Sequence, residues 1–172
     1  MKRIGSVALA LVLALALCAC GARSKDVALK DLHEAVKAAY GENYLPNMAI
    51  EEAQLTDVYG VKAEDVEEFL GEAPMISAHV DTFLAVKAKA GRGEEVEKAL
   101  TQYRDYVAEN AMMYPMNMAK VQAAKVIRQG DYVFYLMLGA IDDRLDASEE
   151  EQLTFAQQEV QRAVDAIEGL LK

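Results

Sequence analysis

Ser77, His79 and Asp81 stand at alternate positions of one segment, and a serine, a histidine and an acid are the parts of a nucleophilic relay. Alternate residues of a strand project in parallel, roughly 6.5–7 Å apart. A relay needs converging hydrogen bonds near ~3 Å, and no nucleophile elbow or Gly-rich oxyanion loop accompanies the trio. The spacing therefore predicts a wet sheet face suited to polar pairing or binding, not hydrolysis. Met112, Met113, Met116 and Met118 crowd around Tyr114 and Pro115. Thioethers suit Cu(I), but flexible methionines also pack loops onto cores and make adaptable contact surfaces. Packing is the simpler expectation, with a hydrophobic partner site next and copper last. An aromatic before Pro115 leaves the isomer of that peptide bond open.

The acidic segment Asp142, Asp143, Asp146, Glu149, Glu150 and Glu151 lacks the spacing and central glycine of an EF-hand. It reads as a solvated loop running into a helix N-terminus. His33 has no zinc motif around it, and Gly91-Arg92-Gly93 is too short for a phosphate loop. No catalytic residues and no metal site are assigned.

The two cysteines carry a different chemistry. Lys2 and Arg3 precede an apolar run over residues 4–17, built mainly from Ala, Leu and Val. That run is short for a membrane span, which takes about 20 residues, and fits the core of a signal peptide. It ends in Leu17-Cys18-Ala19-Cys20-Gly21, which resembles the lipobox of bacterial lipoproteins. Cys20 has small Ala19 before it and Leu17 three back, whereas Cys18 follows bulky Leu17. The expectation is cleavage after residue 19 and a thioether-linked diacylglycerol on Cys20, with fatty acyl chains such as palmitate. No thiol then remains for a disulfide or a nucleophile, and no cofactor beyond that lipid is expected.

Composition narrows the rest. The chain has 172 residues, 53% of them hydrophobic, and a formal charge of −10 that becomes −12 once Lys2 and Arg3 are removed. Such acidity argues against nucleic acid as a partner and repels anionic headgroups, leaving the lipid to hold the body at the membrane. Residues 1–19 are read as signal peptide, 20–25 as lipidated cysteine and tether, and 26–172 as one domain.

Periodicity places a helix over residues 26–40, with Leu29, Leu32, Val36 and Tyr40 on one stripe. Short helices are expected at 51–59 and 63–70. After Pro74 alternation predicts a strand over 76–88, then an amphipathic helix over 94–109. Residues 111–118 read as a loop, and 119–128 and 132–139 as a hairpin turning at Gln129-Gly130. Ser148 and Glu151 form the capping box of the last helix. The expected fold is α+β: a small antiparallel three-stranded sheet, order 1-3-2 from strand-helix-strand-strand, packed with about four helices mainly on one face.

The stretch from Val61 through the last helix resembles a family of lipoproteins from clostridia and related Firmicutes built on a domain of unknown function. The lipobox, Val86-Lys87-Ala88-Lys89, the helix at 94–109, Tyr114-Pro115 and Gly130-Asp131-Tyr132-Val133 carry the resemblance. It implies an envelope lipoprotein with a small α+β domain, and it supplies no catalytic residues. The expectation is a protein anchored by lipid on the extracytoplasmic face of the membrane. It would act by binding an envelope partner through Ser77, His79, Asp81, Met112, Met113, Tyr114, Met116 and Met118. An envelope hydrolase using carboxylates and Cu(I) binding by the methionine loop are the rivals.

Overall fold

The structure is a computed structural model and describes residues 25–76, 78–110 and 112–172. The expected signal peptide, both cysteines and the first part of the tether lie outside the described residues, as does Ser77.

The chain opens with helix α1 (Leu29–Tyr40), whose stripe of Leu29, Leu32, Val36 and Tyr40 is buried. Gly41, at φ 56°, ends it in a conformation that a side chain would strain. Strand β1 (Met48–Ala49) and helix α2 (Glu52–Asp57) follow, the latter closed by a reciprocal Glu51–Gln54 cap. Next come β2 (Val66–Ala73), β3 (Thr82–Ala88) and helix α3 (Gly93–Asn110). Helix α4 (Met118–Ala123), the hairpin β4 (Lys125–Gln129) and β5 (Tyr132–Met137), and the long helix α5 (Glu149–Leu171) complete it. Ser148 caps α5 together with Glu151.

The sheet has five strands in the order β1-β2-β3-β5-β4, every neighbouring pair antiparallel. This corrects the expected three-stranded sheet. The error arose at residues 63–70, read as a helix, which are a 3-10 turn (Ala63–Asp65) running into β2. Val66, Phe69 and Leu70 have helical spacing, but a bulge between Val66 and Glu68 shifts the register against β3. The extra residue puts Val66 and Phe69, three apart, against the same core cluster. A bulged strand thus imitates the period of a helix.

Two further boundaries move. Residues 78–81 do not pair in the sheet, His79 N–H donates to the Ile76 carbonyl, and β3 begins only at Thr82. Residues 119–128, read as strand throughout, divide into α4 and β4. The helices also cover both faces, not mainly one. Phe83, Ala85, Phe134 and Leu136 pack under α1 and α5. Leu84, Val86, Val133 and Tyr135 pack against α2 and α3. All six residues of β5 are buried, and a strand apolar on both sides requires cover on both sides. No described helix is long and apolar enough to cross a membrane.

Candidate functional site

Asp81 lies one residue before β3, on the side of the sheet covered by α1 and α5. Lys120 comes from α4, and its Nζ donates to Asp81 Oδ1 and Oδ2 at 3.0 and 2.9 Å. Their side chains are 1% and 4% exposed. Each charge alone would be costly to bury, and each is tolerated because the other is there. Three residues earlier, Asn117 Nδ2 donates to the Ala78 carbonyl at 2.9 Å. Asn117 Oδ1 and His79 Nδ1 are buried with no hydrogen-bond partner among the described residues. The approach to β3 and the segment after Pro115 are therefore joined by two polar contacts, one buried and one partly buried.

The same segment borders a cleft. Met116, Ala119 and Lys120 form one wall, Gln152 and Ala156 of α5 the other, and Ala140, Ile141 and Asp142 close the end, enclosing about 150 Å³. A wider groove of about 470 Å³ shares Ala119 and Gln152 with it and extends past Pro115, Met118, Gln122 and Glu149. Above them, Met112 is fully exposed and Tyr114 and Met116 are more than half exposed. Met113 packs instead against the core cluster beneath α3. The four sulfurs are thus divided between surface, groove and core. The Tyr114–Pro115 peptide is trans.

Two members of the acidic segment reach this region: Asp142 closes the cleft and Glu149 lines the groove, while Glu150 and Glu151 border a separate hollow with Arg144. Asp142 accepts hydrogen bonds from the Arg144 guanidinium at 2.9 and 2.6 Å, which holds its carboxyl below the usual range. Glu151 is held down in the same direction by the backbone N–H and hydroxyl of Ser148. Asp143, Asp146, Glu149 and Glu150 are exposed. Among the described residues no group of three His, Cys, Asp or Glu side chains is arranged to hold a metal ion.

A second polar cluster lies elsewhere on the α1 face. His33 Nε2 lies 2.9 Å from the Tyr44 hydroxyl and 3.1 Å from Glu72 Oε2, and its ring stacks on Phe83 at 4.9 Å. Burial lowers its pKa against the opposing attraction of Glu72.

Among the residues expected to form the contact surface, Asp81 requires correction: it is buried in an ion pair and presents nothing to solvent. The reason is the face it shares with Phe83 and Ala85. That face is expected to be wet from the alternation that sets Ser77, His79 and Asp81 on one side, yet α1 and α5 cover it. His79 is half-buried. What the structure brings together is residues 78–81 with the methionine loop. Lys120, Asn117, Gln152 and Ala156 were not anticipated. A lone lysine between apolar residues in a supposed strand, Ala119-Lys120-Val121, was the only available signal.

A five-stranded antiparallel sheet covered by helices on both faces, with an open groove between α4 and α5, defines an α+β domain. The chain belongs to the DUF4358 family, a domain of unknown function, which matches residues 39–138. The match includes all five strands and the Asp81–Lys120 pair. The α5 wall of the groove lies beyond it. No curated protein and no solved structure matches the chain.

Proposed function

We propose that this protein is a lipoprotein held on the extracytoplasmic face of the cell membrane by a diacylglycerol on Cys20, and that it works as a binding module for an envelope partner. The contact surface is the rim of Met112, Tyr114 and Met116 with the groove beside it. The observation that carries this reading is that an exposed apolar loop is held in place by two polar contacts, one buried and one partly buried. Asn117 bonds Ala78 and Lys120 bonds Asp81 directly behind it. Apolar side chains left outside a core and yet fixed in position are the composition of a contact surface.

The tether supports the orientation. The Tyr132 hydroxyl donates to Asp26 at 2.8 Å, and Lys87 Nζ does so at 3.1 Å. Lys87 and Tyr132 are paired across β3 and β5, at the far end from the Thr82–Met137 pair. Five residue steps along β3 separate the two pairs, about 17 Å at ~3.3 Å per residue. Asp26, where the chain enters the domain, thus lies at the end of the sheet away from the rim, an arrangement that suits an anchor at Cys20.

Two measurements test this. Cys20→Ala is expected to move the protein from the membrane fraction to the soluble one, and Cys18→Ala is expected to leave it bound. A photo-crosslinking residue at position 112, 114 or 116 in intact cells is expected to trap one reproducible partner. The same residue at exposed position 30 on α1 is expected to trap none. Release by Cys18→Ala instead, or no adduct from any rim position, overturns the reading.

A further inference from the structure

We propose that the groove between α4 and α5 takes a basic polypeptide segment of the partner, with one aliphatic side chain lodged in the cleft and its cationic flanks on the acidic rim. This rests on the binding-module reading above and names the chemistry of the partner.

Size is the first argument. The cleft itself, at about 150 Å³, is below the roughly 300–1,000 Å³ of sites for cofactors and drug-sized ligands, and only the open groove beside it, at about 470 Å³, falls within that range. The cleft has the volume of about five waters at ~30 Å³ each, the scale of a single leucine or methionine side chain. The adjoining groove of about 470 Å³ gives the flanking main chain a path past Pro115, Met118 and Gln122.

The lining is the second. Met116, Ala119 and Ala156 supply an apolar pocket, and methionine adapts its shape to what it receives. The charge on Lys120 is matched by Asp81, so the floor does not call for an anion. Gln152 Nε2 makes only a long 3.4 Å bond to the Ala147 carbonyl and has a second N–H to offer a main-chain carbonyl.

Charge is the third. Asp143, Asp146, Glu149 and Glu150 are exposed and make no hydrogen bond or ion pair with another side chain among the described residues. The one basic group in their midst, Arg144, is engaged by Asp142. Glu149 and Glu150 also face the positive end of α5, which accounts for their place in its first turn. Asp143 and Asp146 sit in the preceding loop and have no such role. Anionic bilayers are repelled by the same rim, so a protein segment is the favoured occupant.

The test uses the full chain in detergent and three fluorescein-labelled pentapeptides, KKLKK, KKGKK and EELEE. Burial of one leucine side chain predicts that KKLKK binds at least about tenfold more tightly than KKGKK. EELEE is expected not to bind, and the KKLKK affinity is expected to fall as sodium chloride is raised. Ala119→Trp, which fills the cleft, is expected to abolish the advantage of leucine. The surface variant D143K/D146K is expected to weaken KKLKK without lowering the melting temperature, and it keeps the test intact if A119W unfolds. Equal binding of KKLKK and KKGKK, binding of EELEE as tight as KKLKK, or a leucine preference that survives in a folded A119W each overturns the proposal. So does binding to phosphatidylcholine vesicles that A119W removes, since that places lipid in the cleft. Rim crosslinks that persist in cells carrying D143K/D146K sink this proposal alone. Absence of any rim crosslink sinks the binding module with it.

Discussion

Lys120 reaches both carboxylate oxygens of Asp81, at 3.0 and 2.9 Å, across 39 residues of sequence and almost out of contact with water. This contact joins the approach to β3 to the helix that walls the groove. Lys120→Met leaves Asp81 buried and unpaired, a loss of about 3–5 kcal/mol in stability. The double change Asp81→Leu with Lys120→Met removes both charges and is expected to recover most of that. Urea denaturation of the two single variants and the double checks it. Costs that simply add would show that the pair does not act as a unit.

Gly71 is set by contact, not by backbone conformation. A Cβ there would lie 2.8 Å from Ile50 Cδ1 and 2.9 Å from Leu84 Cδ1, inside the packing between β2 and the residue following β1. Gly71→Ala is expected to cost about 1–3 kcal/mol by overpacking. Ile50→Ala opens space on one side, so the same substitution in that background is expected to cost less. Thermal denaturation of the four chains gives the comparison, and an equal cost in both backgrounds would place the strain at Leu84 alone.

Much of the fold was legible where a single period ran uninterrupted. The stripe Leu29, Leu32, Val36 and Tyr40 faces the core, and Ser148 with Glu151 begins the last helix. Legibility failed where local geometry changed the period, as at the bulge that places Val66 and Phe69 on one side of β2. It failed again where burial was set from a distance. Nothing adjacent to Asp81 in the sequence says that α1 and α5 will cover its face, or that Lys120 will neutralise it. The groove was illegible for the same reason, because its walls come from residues 116–120, 140–142 and 152–156. Only its methionines and the acids Asp142 and Glu149 stood out by composition.

His33 gives the α1 face a dependence on pH. Burial lowers its pKa from the ordinary 6.5, and Glu72, Glu34 and Lys37 are the charges that act on it, with the Tyr44 hydroxyl also at its Nε2. The folded chain thus holds this proton less tightly than the unfolded chain, and stability rises with pH. The contribution is present above about 6.5 and is lost as pH falls below it toward the lowered folded value. His33→Gln is expected to flatten that slope below about pH 7. Urea midpoints for both chains across the range measure it. A slope that is unchanged in the variant would assign the dependence to other groups.

The junction of tether and domain makes the last prediction, because its contacts at Asp26 and Val27 converge on one hydroxyl. Tyr132 Oη donates toward Asp26 Oδ1 at 2.8 Å and lies 3.0 Å from the Val27 carbonyl, and it also accepts from Val27 N–H at 3.1 Å. Lys87 grips Asp26 as well, and these contacts hold the Asp26 carboxyl below its usual range while raising the Lys87 ammonium. Tyr132→Phe keeps the ring in the core and removes the hydroxyl that fixes Val27. Hydrogen exchange of the Val27 amide is expected to speed up markedly, while exchange in β5 stays close to that of the unaltered chain. In cells, the freed tether is expected to leave the protein in the membrane fraction but to broaden the set of positions that crosslink to neighbours. Unchanged exchange at Val27 would mean that Lys87 and Asp26 suffice to dock the tether, and that the hydroxyl is incidental to how the domain stands on its anchor.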